Sequence, residues 1–230
     1  MCSLPFTRIP FEDRADAGRA LAIELAHVGI GRNGIVLGLA RGGVPVAFEI
    51  ADRLRLALDV TAARKIGVPW QPELAVGAIA GSVQLLDTRV IRQLGISNKE
   101  IEIAAARERA EMKRHEALYR GGLLPFDLQD RSVLLVDDGL ATGSTMLAAL
   151  RYVRVLNPGI VIVAVPVGTE EGCERLRRES DELICLATPR DFTAVSQWYR
   201  EFRQISDTEV RNLLAENRRR LGESSLTSAN

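Results

Sequence analysis

Three short apolar runs constrain this chain more than anything else in it: Ile35-Val-Leu-Gly-Leu39, Val133–Val136 and Ile160–Pro166. Each is too short for a buried helix and rich in β-branched residues, so each reads as a strand with both faces covered. Helical periodicity lies between them. Val46, Ala47, Ile50, Ala51 and Leu54 mark one helix face, residues 144–156 and 170–179 read as further helices, and residues 12–28 form a helix ahead of the first run. Leu58–Ala63 reads as a strand ending at Arg64 and Lys65, and Glu182–Ala187 as a last strand. Strand alternating with helix implies a doubly wound, mainly parallel α/β sheet with helices on both faces.

Two segments depart from this rhythm. Leu74–Ala80 and Val83–Leu86 read as a hairpin turning at Gly81-Ser82. Residues 88–120 are charged and helical, and their spacing predicts a solvated helix laced by ion pairs. Tyr119–Pro125, with Gly121 and Gly122, reads as a flexible connection. Residues 206–220 form a final amphipathic helix, and the polar end beyond is expected to fray.

Composition excludes several classes. The 230 residues are 47% hydrophobic, enough for a packed core. Thirty basic residues balance thirty acidic ones, which argues against a general nucleic-acid binder. No apolar run approaches the roughly 20 residues of a membrane span. The start, MCSLPFTRIPFEDR, shows no secretory signal. Cys2, Cys173 and Cys185 match no zinc spacing and suit a reducing cytoplasm, the expected location, and Cys173 and Cys185 read as packing residues.

The chemistry concentrates in VLLVDDGLATGST, residues 133–145. A parallel sheet binds ligands beyond the carboxyl ends of its strands, and Asp137 and Asp138 stand where one strand ends. The small-residue loop behind them offers unobstructed backbone N–H groups ahead of a helix, an arrangement that attracts phosphate. Thr142, Ser144 and Thr145 add hydroxyls. Acids that bind hydroxyls, directly or through a metal, beside a loop that binds phosphate describe a site for a sugar phosphate. The loop lacks the lysine and spacing of a P-loop. Gly29-Ile-Gly-Arg-Asn-Gly34 matches G-x-G-x-x-G literally but leads from helix into strand, the reverse of a dinucleotide-binding turn.

Those residues resemble the phosphoribosyl pyrophosphate motif of the type I phosphoribosyltransferases, and the order of elements agrees over about residues 15–190. The resemblance implies a set of roles. Asp137 and Asp138 hold the ribose hydroxyls and are candidate Mg²⁺ ligands. Ala141, Thr142, Gly143, Ser144 and Thr145 wrap the 5′-phosphate. Ala40, Arg41 and Gly42 form the pyrophosphate loop, which in the family often contains a cis peptide; read alone, Arg41-Gly-Gly43 is an ordinary βα turn. Arg64 and Lys65 help to neutralise pyrophosphate, across a homodimer interface as in the family, or are a surface pair. With Asp137 and Asp138, Arg41 and Lys65 complete the candidate catalytic set.

The implied chemistry is Mg²⁺-dependent transfer of ribose 5-phosphate from phosphoribosyl pyrophosphate to a ring nitrogen of an acceptor base. Residues 1–210 form the transferase-like domain, with 88–125 as a flexible insertion or lid in which Arg120 is a contributor, and 188–210 as a hood. Residues 211–230 are the end of the last helix and a tail. In the hood, Phe192, Trp198 and Tyr199 either stack on the base or anchor the C-terminal helix. Members acting on 6-oxopurines carry a third acid in the phosphate loop. Ala141 stands there, which disfavours hypoxanthine and guanine, and neither His27 nor His115 supplies a replacement. A different class also fits: a regulatory nucleotide- or RNA-binding protein of the same fold with little transferase activity.

Overall fold

The computed structural model describes residues 9–68 and 70–227; Cys2 and residues 228–230 lie outside them. Its centre is a five-stranded parallel sheet. β1 (Ile35–Leu39), β2 (Ala57–Thr61), β6 (Ser132–Val136), β7 (Ile160–Val167) and β8 (Glu182–Ala187) are arranged in the order β2-β1-β6-β7-β8. The three apolar runs of the sequence are its three inner strands. Side chains alternate between two cores, as the pleat requires. Val36, Leu134 and Ile162 face one core, whereas Ile35, Leu37, Val133 and Val163 face the other. Helices α1 (Arg14–Leu25), α2 (Gly43–Leu54) and α7 (Asp207–Thr227) cover the first face, and α5 (Ser144–Val155) and α6 (Glu170–Arg177) the second.

The strand order sets the position of the site. From β1 the chain moves outward to β2; it then returns to β6 on the other side of β1 and continues to β7 and β8. The winding reverses between β1 and β6, which pair in parallel from Ile35↔Val133 to Gly38↔Val136. Loops leaving these two strands part in opposite directions and open a crevice at their carboxyl ends. Ala40–Gly43 and Asp137–Gly139 are those loops.

Between β2 and β6 the chain builds a second, three-stranded antiparallel sheet, β3 (Ala63–Val68), β4 (Gln71–Ala80) and β5 (Val83–Leu86). The hairpin read from the sequence is β4–β5. The strand expected over Leu58–Ala63 divides: β2 stops at Thr61, and Arg64 and Lys65 lie near the start of β3 rather than at the end of β2. Helix α3 (Thr88–Gln93) and helix α4 (Asn98–Arg120) follow, separated by Gly95 at φ 64°. α4 begins with a capping box in which Ser97 and Glu100 satisfy each other's backbone N–H.

The charged helix expected at 88–120 has a buried face. Ile101, Ala105 and Met112 of α4 pack with Ile66, Val76 and Ile79 of the second sheet. Its last turns cover the edge of β2. Glu116 accepts the N–H of Ala62 at 2.8 Å, and Arg120 donates to the carbonyl of Val60 at 2.6 Å and to the buried carboxylate of Asp59 at 3.0 Å. Farther along the same edge, Asn217 of α7 accepts the N–H of Leu58 at 2.9 Å and donates to the carbonyl of Leu56 at 3.2 Å, in place of a neighbouring strand. Arg120 is therefore committed to the β2 edge and lies outside the crevice. No helix among the described residues is long and apolar enough to cross a membrane.

Candidate active site

The crevice is floored by the two acids. Asp138 donates its N–H to Oδ1 of Asp137 at 2.9 Å, which turns the chain sharply at the strand exit. Burial and the neighbouring charge of Asp138 hold the Asp137 carboxyl well above its ordinary range. Burial also lifts Asp138, opposed by a guanidinium that the sequence did not single out. Arg14, the first residue of α1, is buried and donates Nε–H to Asp138 Oδ2 at 2.8 Å.

Beyond the acids the chain forms an open cup. Leu140 donates to the carbonyl of Val167 at 2.9 Å and accepts from the N–H of Thr169 at 2.8 Å, fastening the loop to β7. The Thr169 hydroxyl donates to the Ala141 carbonyl at 2.6 Å. Gly143, at φ 72°, turns into α5; as N-cap it brings no side chain, and the Ser144 N–H donates to Thr142 Oγ1 at 3.5 Å. The next amides of α5, those of Thr145 and Met146, belong to a first turn without intrahelical acceptors and have the helix dipole behind them, with Thr142, Ser144 and Thr145 alongside. This is the geometry that binds a phosphate. From α6, Arg175 reaches the same loop, 3.4 Å from Ser144 Oγ and 3.5 Å from the Thr142 carbonyl.

The opposite wall is the turn after β1. The Ala40–Arg41 peptide is cis, and Ala40 donates to the carbonyl of Thr61 at 2.9 Å. Gly42 follows so closely against the acids that a Cβ there would lie 2.0 Å from Asp138 Oδ2. The Arg41 guanidinium lies 3.5 Å from Asp207, which also accepts the Tyr119 hydroxyl at 2.8 Å. Arg64 and Lys65 are separated by the pleat of β3. Arg64 pairs with Glu108 of α4, whereas Lys65 lines a cleft of about 470 Å³ with Thr142, Ser144, Arg89 and Arg175. Of the two, Lys65 is the one that shares a cleft with the phosphate loop.

The segment after β8 roofs the crevice. Val195, in a short 3₁₀ turn (Val195–Trp198), packs so tightly over Gly139 that a Cβ on that glycine would lie 2.5 Å from Val195 Cγ1. Tyr199 is buried between Phe11 and Phe202, and its hydroxyl donates to the Asp138 carbonyl at 2.6 Å. That placement makes Tyr199 an anchor for the roof. Phe192 and Trp198 are partly buried with ring centroids 6.2 Å apart, and Trp198 Nε1 is buried without a hydrogen-bond partner.

An α/β sheet with an acid pair and a glycine-led helix N-terminus at its switch point is an arrangement suited to a ligand that carries both an anion and hydroxyl groups. The comparisons narrow it. The phosphoribosyl transferase domain family matches residues 12–200, and this chain belongs to that family. Proteins of two Mycobacterium tuberculosis strains named "Putative phosphoribosyl transferase" are 44% identical over 201 residues, covering 87% of this chain and 45% of theirs. The chain thus spans about half the length of these relatives. A uracil phosphoribosyltransferase of Nocardioides is 32% identical over 108 residues, 47% of this chain and 45% of that one. The crystal structure of TT1426 from Thermus thermophilus superposes with a TM-score of 0.75 at 41% identity, covering 90% of this chain and 98% of that one.

The structure brings the acid pair, the Ala141–Thr145 loop and the Ala40–Gly42 turn, which the family resemblance singled out, to one crevice. Arg14 and Arg175 were missed. Each acts on residues distant along the chain, and no local pattern marks either.

Proposed function

We propose that this protein transfers the ribose 5-phosphate group of phosphoribosyl pyrophosphate to a ring nitrogen of a base or similar acceptor, releasing pyrophosphate. One observation carries the reading: the winding reversal sets an acid pair between a small-residue turn and a glycine-led helix N-terminus. That arrangement offers hydroxyl acceptors in the middle and anion sites on either side.

In this reading the amides and hydroxyls of Ala141–Thr145 bind the 5′-phosphate, with Arg175 adding charge. Asp137 and Asp138 accept from the ribose hydroxyls and so fix the ring. Ala40–Gly42, Arg41 and Lys65 take the pyrophosphate and stabilise charge as the bond to C1 breaks. Asp137 and Asp138, adjacent carboxylates on the floor of the crevice, are the residues that would hold Mg²⁺. Mg²⁺ supplies charge neutralisation at the leaving pyrophosphate. Phe192 and Trp198 are the candidates to meet the base. Residues 88–125 serve as the lid, and the protein works as a cytoplasmic homodimer.

Pyrophosphate release from phosphoribosyl pyrophosphate, assayed with adenine, hypoxanthine, guanine, uracil and orotate, tests this. Turnover with at least one acceptor is expected, with negligible turnover of hypoxanthine and guanine because Ala141 exchanges no proton. Binding without turnover of any acceptor favours the regulatory alternative.

A further inference from the structure

The proposed reaction gives the acid pair a task but does not explain why a guanidinium from the far end of the chain is buried against it. Arg14 is 8% exposed, and its guanidinium reaches both the acid pair and the roof. Nε donates to Asp138 Oδ2 at 2.8 Å, Nη1 donates to the carbonyl of Arg203 at 2.8 Å, and the guanidinium carbon lies 3.8 Å from the centre of the Phe202 ring. The roof grips the same acid a second time, since Tyr199 bonds the Asp138 carbonyl at 2.6 Å. The same oxygen, Oδ2, also lies against Gly42. Asp138 is thus clamped between the Ala40–Gly42 turn and a guanidinium that is itself bolted to residues 202–203.

A buried arginine that merely filled space would be a poor choice, because desolvating its charge is costly unless every donor finds a partner. Here the donors divide between the acid and the roof. We infer that Arg14 is a positioning residue that orients the Asp138 carboxylate for the ribose hydroxyls and ties its position to residues 192–203 of the roof. This rests on the function proposed above. A ribose hydroxyl donating to Asp138 shares with Arg14 Nε the one carboxylate whose Oδ2 the guanidinium already holds. The planar guanidinium cannot shift one edge without moving the other, so the adjustment reaches the Arg203 carbonyl and the Phe202 ring. Occupation of the ribose site and closure of the roof over an acceptor are then one event.

The chain has two tryptophans, Trp70 and Trp198, so a Trp70→Phe background reports on the roof alone. Mg²⁺ and phosphoribosyl pyrophosphate are titrated together, with Trp198 emission and unfolding temperature as readouts. The parent is expected to change in both. Arg14→Met should bind about tenfold or more weakly and lose the Trp198 response, with Arg14→Lys intermediate in both. Unchanged affinity, or weakened affinity with an intact Trp198 response, overturns the inference. No response in the parent contradicts the proposed function instead, and a urea cycle of Arg14→Met with Asp138→Asn then decides the role of Arg14. Additive losses overturn the clamp, and strongly non-additive losses uphold it.

Discussion

At the scale of single residues, the site is a problem of close approach around Asp138. Gly42 is needed for room, and its backbone is ordinary: a methyl group there would overlap the carboxylate at 2.0 Å. Gly42→Ala is therefore expected to keep its fold and lose phosphoribosyl pyrophosphate affinity, since rotating a side chain away costs less than unfolding. Native circular dichroism with an abolished ligand-dependent unfolding shift is the signature. Tyr199→Phe removes a donor to a backbone carbonyl and should cost about 1 kcal/mol, or a few degrees in unfolding temperature. The sequence disclosed the acids and the loop because both lie in one contiguous stretch whose chemistry is local. Arg14 was illegible because its partner lies 124 residues away, and only the packing of α1 brings the two together. The aromatic residues of the roof were noticed, but composition cannot tell a ring that stacks on a base from one that anchors, as buried Tyr199 does.

At the scale of elements, edge strand β2 shows what hydrophobic patterning leaves out. Leu58–Thr61 were readable as part of a strand, whereas the two side chains that replace its missing neighbour, Glu116 and Asn217, look like ordinary surface polar residues of amphipathic helices. The charges of α4 suggested a solvated helix, and many do form local pairs such as Glu111–Arg114. Its apolar residues, spaced along one face, bury it against the second sheet all the same. Asn217→Ala should strand the Leu58 N–H and the Leu56 carbonyl at about 1–3 kcal/mol each, read from urea unfolding. Glu116 makes a pH prediction. Burial raises its carboxyl above 4.5, so the folded state holds the proton more tightly than the unfolded chain does. That contribution to stability is complete below about pH 4.5 and fades as pH rises through the raised value. Glu116→Gln should therefore flatten the decline in urea midpoint between mildly acidic and neutral pH; an unchanged slope would assign the decline to other groups.

For the whole molecule, the order of strands matters more than any one of them. The alternation of strand and helix made a parallel sheet legible. The reversal between β1 and β6 was not, because neighbours in a sheet are set by long-range packing rather than by local pattern. That reversal converts two unremarkable turns, Ala40–Gly43 and Asp137–Gly139, into facing walls. The central claim is that these walls bind Mg²⁺ and phosphoribosyl pyrophosphate together, and thermal unfolding measures it most directly. Ligand and metal at about 100 times the dissociation constant should stabilise the native protein by roughly 2.7 kcal/mol. Chelating the metal should remove most of this, and Asp137→Asn with Asp138→Asn should abolish it. A shift that survives the double substitution, or no shift in the native protein, would contradict the account.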